Sequence, residues 1–246
     1  LKRALRLIDA LKQQVARYPS QVEIALTAAD VRRLARDGKL AALIGVEGGH
    51  VILNDLGVLR SLYALGVRYM TLTHSVSHDW ADSSAGPVRW HGLNEFGREV
   101  VREMNRLGVL VDLSHVSDSV MAQAIRLSEA PVIFSHSSAR ALADHPRNVP
   151  DEILRMLPQN GGVVMVNFYC DFVDSTRVRW NRERRADSLS ERARFGADSV
   201  AVRQGLQAWE AAHPVPPAPT IATVADHIDH VRQVSGGWAS SGSTVS

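Results

Sequence analysis

The sequence predicts an α/β fold arranged as a (β/α) barrel. Five short apolar, β-branched runs each stop at a polar residue: LAALIGVEGGH at Glu47, GVRYMTLTH at His74, GVLVDLSH at His115, PVIFSH at His136 and GGVVMVNF at Asn167. The stretches between most of them run to about 20 to 40 residues, room for one crossover helix each. Barrels of this kind fill their interior with Val, Ile and Leu and carry reactive side chains at the C-terminal ends of the strands.

The elements follow in order. Residues 2–17 place Leu5, Ile8, Leu11 and Val15 at helical spacing. Thr27 is an N-cap for a second helix that closes near Gly38. A first strand is expected at 40–46, a helix at 54–65 ended by Gly66, and a second strand at 67–73. Residues 74–93 are rich in Ser, Asp, Gly and Pro, and a loop of that length usually has a function. A helix from Asn94 sets Phe96, Val100, Met104 and Leu107 on one face, and strand, helix and strand repeat through 108–135. A loop at 136–150, a short helix at 151–157 and a strand at 162–167 come next.

The pattern changes at 174–219, where a charged helical insert ends in the Pro-rich HPVPPAPT; it reads either as a lid-like excursion or as a solvated helix pair. TIATVADHIDHVRQV resumes as an amphipathic helix with Thr223 as N-cap. Residues 235–246, SGGWASSGSTVS, form an atypical tail where an apolar strand is expected. The whole of 1–246 is thus read as a single partial barrel domain.

Composition narrows the function. With 246 residues and 45% apolar content the chain can bury a substantial core. A net charge of +2 gives no reason to expect nucleic acid as a partner. No apolar run reaches the 18 or so residues of a membrane span. The compartment stays undetermined, because Leu1 opens directly into a helical pattern and a targeting segment could lie upstream. One cysteine, Cys170, excludes an internal disulfide framework.

A glutamate and histidines at separate strand ends are the ligand types of a catalytic metal site. Any one of these histidines alone reads as a hydrogen-bonded structural residue; the shared position of Glu47, His74, His115 and His136 makes the case. The glycines after Glu47 let the backbone turn and leave room beside the carboxylate. His227 and His230 fall one turn apart on the last helix and are read as structural.

The chain resembles the renal or membrane dipeptidases, peptidase family M19, in GVEGGH at 45–50, GVRYMTLTHSVSHDWADSS at 66–84, GLNEFGREVVREMNRLGVLVDLSH at 92–115, PVIFSHSSARALADHPRNVPDEIL at 131–154, NGGVVMVNFY at 160–169 and VADHIDHV at 224–231. The resemblance implies a (β/α)8, TIM-like barrel of the metal-dependent hydrolase type, incomplete in this chain. It implies a Zn2+ metallodipeptidase that hydrolyses small dipeptides by a metal-activated hydroxide, with a homodimer possible. Glu47 would bridge two zinc ions, and His115 and His136 would complete one position. His74 would be catalytic, binding the scissile carbonyl and stabilising the oxyanion. Arg147 would grip the substrate carboxylate, and Tyr169 would line the substrate wall. Asp82 is expected to order its loop.

Two parts of that pattern are missing from the sequence: a His-x-Asp strand before Glu47 and an Asp-Phe-Asp-Gly strand after HIDHV. The expectation is therefore a fragment with impaired activity, its second zinc position lacking most ligands and its open β edges prone to associate. Two alternatives remain: a non-catalytic metal-binding or interaction module, and an amidohydrolase-like barrel acting on a lactone or cyclic amide.

Overall fold

A computed structural model describes residues 1–236. The atypical tail expected at 235–246 therefore lies almost wholly outside the described residues. The chain divides into two compact units: Leu1–Ser135 with Arg155–Val163, and His136–Leu154 with the chain from Val164 onward.

The first unit begins with α1 (Lys2–Arg17), β1 (Val22–Ile24), α2 (Ala28–Arg36) and β2 (Leu40–Ala42). Thr27 caps α2 as expected. Its Oγ1 accepts the Asp30 N–H at 3.1 Å while the Asp30 carboxylate accepts the Thr27 N–H at 2.9 Å. That reciprocal box satisfies two otherwise orphaned helix donors. The strand expected over 40–46 is in fact two strands in two sheets. β2 pairs in parallel with β1, and β3 (Ile44–Glu47) begins the main sheet. The VEI run of β1 is too short for a period to show in the sequence.

After β3 the chain passes through a 3-10 turn (Gly49–Ile52), α3 (Leu56–Ala64), β4 (Val67–Thr71), α4 (Glu95–Leu107), β5 (Leu110–Asp112), α5 (Asp118–Leu127) and β6 (Ile133–Phe134). α6 (Asp151–Leu154) belongs to the second unit, and α7 (Leu157–Asn160) and β7 (Val163–Val164) follow it. The main sheet has the order β3-β4-β5-β6-β7, with β3 to β6 parallel. This is the α/β architecture expected, strands in sequence order linked by helical crossovers. One register row crosses the C-terminal ends of the strands: Glu47 lies opposite Thr71, Thr71 opposite Asp112, and Asp112 opposite Ile133.

α4 shows how the sequence sets these elements. Asn94 Oδ1 accepts the Gly97 N–H at 3.0 Å, Glu95 sits in the first turn, and Gly108 at φ +77 ends the helix. The cap, the acidic first turn and a left-handed C-terminal glycine are each a stop or start signal with a physical basis. The face carrying Val100, Val101 and Met104 is buried, as are Leu59 and Leu62 of α3 and Val120, Met121 and Ala124 of α5. Inside the sheet Val46, Met70, Val111 and Phe134 are buried as well. The long loop 74–93 is ordered around buried Trp80 and around Asp82, whose carboxylate accepts the N–H groups of Arg89 at 2.8 Å and Gly92 at 2.9 Å. Asp82 thus orders its loop, in line with the expectation from sequence.

The second unit is helical: α6, α8 (Cys170–Val173), α9 (Ser175–Phe195), α10 (Ser199–Ala212) and α11 (Ile221–Val234). The charged stretch forms α9 and α10. Trp180 and Trp209 join them with ring centroids 5.6 Å apart, and Arg184 pairs with Glu210 at 2.6 Å. α11 starts earlier than expected: Thr220 is the N-cap, its N–H donating to Thr223 Oγ1 at 3.3 Å. His227 is fully buried, its Nδ1 accepting the Ala139 N–H at 3.0 Å, and His230 pairs with Asp151 at 2.8 Å. Among the described residues no helix is long and apolar enough to cross a membrane.

Candidate metal site

Three of the expected residues meet within the first unit. Glu47 ends β3, and its Oε1 lies 3.1 Å from His115 Nε2 and 3.8 Å from His74 Nε2. The two imidazoles pack with centroids 4.4 Å apart. A carboxylate and an imidazole nitrogen sharing one point in space are the oxygen and nitrogen donors that a divalent metal of the zinc type accepts.

The local sequence explains how they come together. His74 and His115 each stand three residues past the register row that contains Glu47, Thr71 and Asp112. His115 adopts φ +73, a conformation uncommon for a residue with a side chain. Its carbonyl is held there by the Thr73 hydroxyl at 3.0 Å, the Ser83 hydroxyl at 3.2 Å and the Ser84 N–H at 2.8 Å. Surrounding bonds that over-determine an unfavourable backbone are typical of a functional position.

Gly48, at φ +108, leaves no room for a Cβ: one would stand 2.6 Å from the His50 ring and 3.3 Å from the His74 Cβ. A Cβ on Gly49 would run into Trp80. The glycine pair after Glu47 is therefore required by both conformation and space. A groove of about 690 Å³ in this unit is lined by Glu47, His50, Tyr69 and His74. Burial, reinforced by Asp112 and Glu47, pushes the Tyr69 hydroxyl above its ordinary range, and burial pushes His50 down.

The second unit carries the other expected residues. His136 directly follows Ser135, the last residue of the first unit's main segment, and stands three residues past Ile133, the β6 member of the register row. Arg147 is buried, its Nη2 3.5 Å from the His136 carbonyl and its guanidinium carbon 4.9 Å from the Phe172 ring centroid. Its backbone N–H donates to His145 Nδ1 at 3.1 Å, and burial next to Arg147 holds His145 below the usual imidazole range. Tyr169 is exposed and packs edge-on against Phe172 at 5.0 Å. Asn167 stands three residues past the end of β7, the offset that His74 and His115 keep from β4 and β5. β7 stops at Val164, at the edge of the sheet, so Asn167 lies in the loop beyond, where its Oδ1 accepts the Tyr169 N–H at 2.9 Å.

Two residues escaped the sequence reading. Phe172 supplies the flat surface beneath Arg147, and nothing in its local sequence marks it. Asp112 was readable: a carboxylate inside the apolar run GVLVDLSH, three residues before a strand-end histidine, calls for a buried partner set.

The family model for membrane dipeptidase (peptidase family M19) matches residues 1–242. The chain is 46% identical over 169 residues to dipeptidase verJ of Clonostachys rogersoniana, a match that covers 68% of this chain and 44% of that protein. The chain thus spans less than half the length of that curated relative. Among solved structures, the probable dipeptidase PvdM from Pseudomonas aeruginosa superposes with a TM-score of 0.80 at 27% identity, covering 93% of this chain and 63% of that one. A metallo peptidase from Rhodobacter sphaeroides, liganded with a phosphinate mimic of the dipeptide L-Ala-D-Ala, superposes with a TM-score of 0.72 at 25% identity, over 94% of this chain and 57% of that one. With its family signature running from the first helix through the strand ends that carry Glu47, His74 and His115, this chain belongs to the membrane dipeptidase family, peptidase family M19.

Proposed function

We propose that the chain carries the metal- and substrate-binding face of a zinc dipeptidase acting on small dipeptides. The observation that carries this reading is the convergence of Glu47, His115 and His74 at the ends of consecutive parallel strands in a chain of this family. Glu47, His115 and His136 are the proposed ligands. His136 joins the set because it stands three residues past the β6 member of the register row, Ile133, the offset that His74 and His115 keep from Thr71 and Asp112. A bound zinc ion would supply Lewis acidity and a nucleophilic water at neutral pH.

The chain's own groups do the rest. His74, beside Glu47 and with its Nδ1 3.1 Å from the Ser75 hydroxyl, is set to donate a hydrogen bond from a ring N–H to the oxygen that gains charge as the peptide carbonyl is attacked. Arg147 presents a planar guanidinium that matches the free carboxylate of a dipeptide in two parallel hydrogen bonds. Phe172 lies against that guanidinium and shields it from water, which strengthens the pair. Tyr169 bounds the substrate side of the same unit. A free carboxylate close to the scissile bond favours dipeptides over lactones or cyclic amides, which lack one.

Zinc titration of the purified chain tests the ligand set. About one tightly held zinc per chain is expected, lost in Glu47→Gln, His115→Ala and His136→Ala. His74→Ala is expected to keep the zinc and to lose hydrolysis of Ala-Ala by about 100-fold or more in any preparation that shows it. Zinc binding that survives His115→Ala would defeat the assignment.

A further inference from the structure

We propose that Asp112 is a positioning residue that sets the two strand-end histidines from which the metal ligands project; the inference rests on the zinc reading of the site. Asp112 ends β5 and has no exposed surface. Its carboxylate accepts four hydrogen bonds and faces no arginine or lysine in them. Oδ1 accepts the backbone N–H of Ser114 and of Ser135, each at 3.0 Å. Oδ2 accepts the Thr71 hydroxyl at 2.9 Å and the Ser135 hydroxyl at 2.5 Å.

The identity of those donors is the point. Thr71 ends β4, Ser114 is the residue before His115, and Ser135 is the residue before His136. One buried carboxylate therefore ties three neighbouring strand ends, and two of its bonds fix the peptide nitrogens immediately preceding the proposed histidine ligands. A buried carboxylate is costly unless its lone pairs are filled, so its presence in an apolar strand calls for a compensating role. These N–H groups belong to the Leu113–Ser114 and Phe134–Ser135 peptides, so rotation of either would shift the serine Cα and re-aim the backbone that carries the following imidazole. Partners that orient the ligands of a metal commonly change its affinity by about 10–100-fold when removed.

The substitutions separate positioning from bulk stability. Asp112→Asn keeps one carbonyl oxygen for the Ser114 and Ser135 N–H groups, and both hydroxyls can turn to accept from the amide. Asp112→Ala leaves both N–H groups buried without an acceptor. The test measures zinc affinity by chelator competition on the full chain, together with the visible spectrum of the cobalt(II)-loaded chain. Asp112→Ala is expected to weaken zinc by about 10–100-fold and to alter the cobalt spectrum, while Asp112→Asn stays within about 3-fold of the parent with its spectrum retained. Should Asp112→Ala not fold, the double variant Thr71→Val, Ser135→Ala removes both hydroxyl bonds and is expected to weaken zinc by at least about 3-fold. A folded Asp112→Ala, or failing that the double variant, with parental affinity and spectrum would overturn the positioning role and leave the site reading standing. A parent chain that binds no zinc would instead overturn the site reading, and the positioning role with it.

Discussion

Glu103 offers a stability prediction whose size can be worked from its contacts. It sits on α4 with its side chain only 10% exposed, and it receives Arg106 Nε at 2.7 Å, Arg106 Nη2 at 2.8 Å and Arg60 Nε at 2.7 Å. The Arg106 hydrogen bonds, opposed by burial and aided by the Arg60 bond and the charge of both guanidinium groups, bring its carboxyl from an ordinary 4.5 down to about 2. A depression of that size corresponds to about 3 kcal/mol of folding free energy at neutral pH for a fully shielded pair. Arg60 and Arg106 are 52% and 62% exposed, so solvent screening brings the expectation to about 1–2 kcal/mol. The sign follows from proton binding: the unfolded chain takes up the proton first as pH falls. The contribution is full above pH 4.5 and is lost as the pH drops through about 2. The assay is urea unfolding of the parent and Glu103→Gln at several pH values. The variant should be about 1–2 kcal/mol less stable at pH 7, the gap narrowing between pH 4.5 and 2. In 1 M NaCl, where the screening length is about 3 Å, the neutral-pH gap should shrink. A gap that is constant with pH, or absent at pH 7, would refute the coupling of α3 to α4 through Glu103.

Two further outcomes are expected. In a preparation active on dipeptides, Arg147→Lys should lower kcat/KM by about 10- to 200-fold with zinc content unchanged, because lysine keeps the charge and loses the two-pronged geometry; unchanged kinetics would place the carboxylate elsewhere. His227 is buried with its Nδ1 accepting from Ala139 and its Nε2 against the Val173 carbonyl at 3.1 Å, and burial lowers its affinity for protons. The unfolded chain therefore protonates first, so the parent should lose stability as pH falls below about 6.5. His227→Gln should flatten that slope, and a parental slope in a folded variant would exclude His227 as its source.

Much of the architecture was legible because each element announces itself locally. α4 is written between Asn94 and Gly108, α2 between Thr27 and Gly38, and the apolar runs mark where β4 and β5 must be buried. The candidate ligands were legible for the same reason, as polar residues that break an apolar run. One short element was not: β1 is three residues long, below the length at which a period can be read. The strand expected at 162–167 was found, shortened to Val163–Val164. The division of 40–47 between two sheets depends on which neighbour each half finds, and no property of LAALIGVE itself decides that.

The sequence by itself determined the fold class, the family, and the identities of Glu47, His74 and His115 as residues meant to meet. Side-chain type, periodicity and capping act within a few residues of the chain, so they survive in a linear reading. Only the tertiary structure decided that His115 would be held at a positive φ by Thr73, Ser83 and Ser84, that Phe172 would lie against Arg147, and that Asp112 would tie three strand ends at once. Those partners are separated in sequence by tens of residues in most cases. Parallel register and the packing of the crossovers bring them together, and a buried polar group acquires its meaning only from the partners that satisfy it.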